Sequence, residues 1–95
     1  MATLPPPNWN VNARVQAVLE AHEHPVMNEA RLTAMKSAAV AEFEAALRDR
    51  GTDPSRFELI VHIDDLVGPI AFVTERGTKQ EWPLPMFQAW LSRNR

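Results

Sequence analysis

From residue 28 to residue 51 the apolar positions recur at helical spacing. Leu32, Met35, Ala39, Phe43, Ala46 and Leu47 trace one stripe with a period near 3.6. Asn28 is suited to cap the start of this helix, and Met27 and Leu32 are spaced like a hydrophobic staple around the cap. Glu44 and Arg48 are an i,i+4 pair in the favourable orientation. Arg48 and Arg50 suit the negative helix end, and Gly51 supplies the left-handed residue that stops it. Ahead of it, Val11, Val15, Val18, Leu19 and His22 share a narrower face. They predict a first helix capped by Asn12 and running to about His22, with Pro25 as the interruption.

After a turn at residues 52–55 the period changes from 3.6 to 2. Phe57, Leu59, Val61 and Ile63 alternate with Glu58, Ile60 and His62, the pattern of a strand with one buried face. Residues 64–68 connect it to a second strand at 70–74. A tighter turn at 76–78 leads to a short third strand at 79–82. Pro83 and Pro85 end the sheet, and Pro85 fits the first turn of a last helix whose Phe87, Trp90 and Leu91 share a face. The expected fold is therefore α+β, in the order ααβββα: two N-terminal helices, a three-stranded antiparallel meander and a short C-terminal helix. Residues 1–10 form a proline-rich lead-in, and residues 11–95 form one domain.

Ile60 breaks the alternation, because it is apolar on the face that points away from the core. It implies a second, partly covered sheet face. Five of the seven aromatic residues lie between positions 57 and 90. Phe57, Phe72 and Phe87 are expected between the meander and its helices, with Trp82 and Trp90 the exceptions that face a partner. The candidate interface is thus Trp82, Met86, Trp90 and Ile60.

Composition narrows the chemistry. With no cysteine, the chain has no disulfide, thiolate nucleophile or cysteine metal site, which suits a reducing compartment. The first seven residues carry neither the basic start nor the apolar run of a secretory leader, and no apolar stretch approaches the ~18 residues of a membrane span. A soluble, cytoplasmic protein is expected. The net charge of −2 is evenly spread, with five basic and six acidic side chains in each half. Only the end of the chain leans basic, through Arg76, Lys79, Arg93 and Arg95, and these are the residues for the alternative of nucleic-acid binding. The element order from Asn28 onward is also that of double-stranded-RNA-binding domains. Their last helix starts with lysines that grip phosphate, whereas the corresponding Leu84, Pro85, Met86 and Phe87 are uncharged, so that function is set aside.

Two clusters of titratable residues invite a chemical reading. Glu20, His22, Glu23 and His24 resemble a metal group, but on a helix His22 and His24 stand about 200° apart, which leaves only Glu20 and His24 facing together. No metal or other cofactor is expected. His62 and Asp64 project to the same side of a strand and are the candidates for the alternative of a small acid–base or metal-dependent enzyme. No serine, threonine or cysteine is placed beside them as a nucleophile. Gly51, Gly68 and Gly77 are isolated at turns, so there is no phosphate-cradling loop. The expected function is a non-enzymatic protein–protein interaction or regulatory module whose partner is another protein or itself, as a homo-oligomer.

Overall fold

The structure is a computed structural model that describes residues 9–94. The first eight positions of the expected lead-in, and Arg95, lie outside the described residues. The elements are α1 (Val11–Ala21), α2 (Glu29–Arg50), a 3-10 turn (Pro54–Arg56), β1 (Phe57–Asp64), β2 (Gly68–Glu75), β3 (Glu81–Pro83) and α3 (Leu84–Arg93). The order is ααβββα, and the class is α+β.

The first helix starts two residues earlier than its sequence suggests. Asn10, not Asn12, is the cap, and its side chain accepts the Ala13 N–H at 2.9 Å. The shift places Val11 in the first turn, where Val11, Val15 and Leu19 are all buried. Asn12 is then inside the helix, with its backbone N–H donating to Gln88 of α3 at 3.3 Å. At α2 the expected termini are found. Asn28 accepts the Arg31 N–H at 2.8 Å, and Gly51 adopts φ 86. The Gly51 and Thr52 N–H groups donate back to Arg48 and Leu47, the double bond pattern of a Schellman stop. Met35, Ala39, Phe43, Ala46 and Leu47 form the buried face of this 22-residue helix.

The sheet is a meander with β2 in the middle, and both pairings are antiparallel. Asp64 and Gly68 close the first hairpin around a three-residue loop. The Asp64 carboxylate accepts the Leu66 and Val67 N–H groups there, and Gly68 takes φ 82. β3 begins later than residue 79. Thr78 Oγ1 accepts the Gln80 N–H, which holds that part of the chain in the turn, and pairing with β2 resumes at Glu81. Pro83 ends this edge strand, where a missing donor is tolerated.

All three helices contribute to a single core on one face of the sheet. Phe57, Leu59, Val61, Ala71, Val73 and Trp82 point into it, against the buried stripes of α1, α2 and α3. Phe57 and Phe87 meet edge-on at 4.9 Å, and Trp82 packs on Phe87 at 5.5 Å and on Trp90 at 5.2 Å. Two expectations change here. Trp82 is not an open interface residue but part of the core, 8% exposed, because it pairs with Val73 on the inner face. Phe72 is not a core residue but stands on the outer face opposite Ile60, since β2 turns its small Ala71 and its Val73 inward.

Two arginines tie the helices together. Arg14 of α1 reaches Glu42 and Asp49 of α2 at 2.5 and 2.6 Å. The hydrogen bonds to Asp49 and then Glu42 raise its pKa further above the usual guanidinium value. Arg50 donates to the Leu91 and Asn94 carbonyls at the end of α3, and its guanidinium lies over the Trp9 ring at 5.2 Å. A cation thus meets the negative end of α3.

Candidate functional site

Helices cover one face of the sheet, and the other face carries a row of apolar side chains. Ile60 of β1 lies beside Phe72 of β2, and Phe72 lies beside Pro83 of β3. Ile70 follows on β2, opposite His62. Ile60 is 42% exposed and Pro83 is exposed, while Ile70 and Phe72 are half-buried. Four apolar residues, none more than one strand from the next, make this a continuous stripe and not scattered surface contacts.

The same region holds an open strand edge. Among the described residues, β1 pairs with β2 alone, over its whole length of eight residues. The direction of its free backbone groups follows from the hydrogen bonds at the sheet's end. The Arg76 N–H donates to the Arg56 carbonyl at 2.8 Å, and the Glu75 N–H donates to the Gln80 carbonyl at 3.1 Å. Arg56 and its even-numbered successors along β1 therefore bond to β2. The N–H and C=O groups of Leu59, Val61 and Ile63 and the C=O of Phe57 point to the open side, while the Phe57 N–H donates to the Pro54 carbonyl. A cleft of about 160 Å³ runs beside the start of this edge, between Val40, Phe43 and Glu44 of α2 and Phe57, Glu58 and Leu59 of β1, with Arg76 also lining it.

The four expected interface residues do not form one surface. Ile60 is on the outer sheet face and Trp82 is inside the core. Trp90 is half-buried against Trp82, and Met86, 61% exposed, projects from α3 in the helical layer. Sequence reasoning missed Ile70, Phe72 and Pro83 as companions of Ile60. The signal was present, because a hairpin closed by Asp64 and Gly68 sets Phe72 directly across from Ile60.

His62 and Asp64 share the outer face, as their spacing requires, but each is engaged or isolated in a way that suits structure. The Asp64 carboxylate is held below its ordinary pKa by the Leu66 and Val67 N–H groups, with the charge of His62 a smaller contribution. His62 is exposed on the strand surface and does not line the cleft beside β1. The other cluster comes apart. Helix α1 ends at Ala21, so His24 is not stacked over Glu20. Its Nδ1 instead sits 3.0 Å from the Val26 N–H in the following loop. Among the described residues no group of three or more histidines or carboxylates is arranged to hold a metal ion.

Arg76 and Lys79 are exposed on the β2–β3 turn, between Glu75 and Glu81, and Arg93 lies in the last turn of α3. Glu75 is itself paired with Arg56 at 3.1 Å. The two cations of the turn are thus flanked by two carboxylates and do not concentrate positive charge. No helix among the described residues is long and apolar enough to cross a membrane. No protein-family model, curated protein or solved structure matches the chain.

Proposed function

We propose that this protein is a non-enzymatic protein–protein interaction module that self-associates through the uncovered side of its sheet. The observation that carries this reading is the coincidence, on β1, of an eight-residue unpaired edge with the apolar stripe of Ile60, Phe72 and Pro83. An exposed strand edge offers a row of hydrogen-bonding groups to an added strand, and adjoining apolar side chains give that strand something to pack against. The dispersal of the acid–base and basic residues supports the same reading.

Light scattering coupled to size-exclusion chromatography tests it directly. The expected result is a molar mass above that of the 10.7 kDa chain, rising with concentration. A mass fixed at the monomer value at every concentration would remove self-association as the function.

A further inference from the structure

The open edge of β1 is self-complementary. Reading outward-facing residues in order, the strand presents Glu58, Ile60, His62 and Asp64, a carboxylate ahead of an apolar centre and an imidazole and a carboxylate after it. We propose that two copies of the chain join through this edge, antiparallel, about a twofold axis at Ile60, to form one continuous six-stranded sheet. This rests on the reading of the chain as a self-associating module and names both its partner and its register.

Three independent features select that arrangement. The first is hydrogen-bond phase. The groups free to bond are the N–H and C=O of Leu59, Val61 and Ile63 and the C=O of Phe57, whose N–H donates to the Pro54 carbonyl. Centring on Ile60 sets Leu59 against Val61 of the second copy, which pairs all their free groups, and Phe57 against Ile63, where the Ile63 N–H finds the Phe57 carbonyl. The second is charge. Glu58 falls opposite His62 of the second copy, a carboxylate facing an imidazole, and this pair occurs twice. Shifting the centre to Val61 sets Glu58 against Asp64, two carboxylates that repel at neutral pH. The third is the apolar row. Pro83, Phe72 and Ile60 already lie side by side across three strands. With Ile60 on the axis the row continues unbroken into Ile60, Phe72 and Pro83 of the second copy.

The chain contains no cysteine, so a single introduced cysteine reports the register without competition. In this arrangement the two Ile60 residues form a non-hydrogen-bonded pair with Cα atoms about 4.5 Å apart, within the span a disulfide accepts. The two His62 residues are four positions out of step, roughly 13 Å apart, too far to bridge. Under mild oxidation Ile60→Cys is expected to convert to a covalent dimer. Glu58→Cys and His62→Cys are each expected to stay monomeric on a denaturing gel when alone and to cross-link when mixed. Ile60→Lys, which places two ammonium groups on the axis at a site already exposed in the folded chain, is expected to yield a monomer with an unchanged circular dichroism spectrum. Glu58→Lys is expected to raise the dimer dissociation constant about tenfold, and His62→Glu combined with it to restore most of the loss.

A dimer by light scattering in which the Ile60→Cys variant fails to cross-link, or in which the His62→Cys variant links to itself, overturns the register while leaving self-association in place. A chain that is monomeric at every concentration overturns both. An oligomer that survives Ile60→Lys assigns the interface to another surface and rejects this one.

Discussion

At the scale of single residues, the turns and caps give the sharpest tests. Gly51 stops α2 at φ 86, with nothing within 4 Å of where a Cβ would stand. Gly51→Ala therefore meets backbone strain and no steric clash, and is expected to cost about 1 kcal/mol in chemical denaturation. Asp64 gives a pH dependence. Its folded-state pKa lies below the ordinary 3.8, so its contribution to stability is complete above that value. It fades as pH falls through the lower folded value. Asp53, held down chiefly by the Ser55 N–H and hydroxyl, behaves in the same way. Asp64→Asn keeps an oxygen for the Leu66 and Val67 N–H groups but cannot be neutralised. Its unfolding free energy is expected to decline less steeply than wild type as pH is lowered from about 5 to about 2. A decline as steep as wild type would show that the turn carboxylate is not linked to folding. The Asn28 and Gly51 ends of α2 were legible in the sequence because such residues act on backbone within a few residues of themselves, whereas Asp64 was read as an acid–base candidate and not as the residue that holds its turn. The misplaced cap at Asn12 shows the limit, since two asparagines stand two positions apart and only the burial of Val11 decides between them.

At the scale of elements, α2 and β1 were readable from periodicity and the outer half of the sheet was not. A stripe of Met35, Ala39, Phe43, Ala46 and Leu47 has one way to face a core, and the structure buries all five. Phe43, 1% exposed, packs on Phe87 of α3 at 5.9 Å. Phe43→Ala is expected to destabilise the fold by about 3–5 kcal/mol, through lost burial and the cavity left behind. For β2, residues 70–73 are apolar without interruption, and such a run does not say which parity faces inward. Size is a misleading guide there, because the larger Ile70 and Phe72 turn outward while Ala71 and Val73 fill the space beneath α2 and α3. Only the pairing with β1 settles the side, and pairing is a relation between segments that no single segment reveals. The same reason explains Trp82. Its position near the chain end suggested exposure, but its neighbour across the ladder is fully buried Val73.

At the scale of the whole molecule, the aromatic cluster makes unfolding a single event. Phe57 of β1, Trp82 of β3, and Phe87 and Trp90 of α3 are in mutual contact, and Phe43 brings in α2. Loss of the sheet removes one wall of the tryptophan environment, and loss of the helices removes the other. Denaturation followed by tryptophan fluorescence and by far-ultraviolet circular dichroism is expected to give coincident transitions. Separate midpoints would mean that α1 and α2 persist without the sheet. The candidate surface belongs to this scale too. Ile60 was visible from one strand alone, but the stripe with Phe72 and Pro83 exists only once three strands lie in register.

The two rims of the sheet are unequal, and that inequality would set how far the proposed assembly proceeds. β3 is three residues long and ends in Pro83, which has no N–H to give to a newcomer. In the proposed pair the β1 rims would consume each other, and the outermost strands would be two such stubs. Strand addition would then have no template on which to continue, and the product would be a finite particle of two chains instead of a growing fibre. Scattering mass is accordingly expected to level off at twice that of the chain however concentrated the solution.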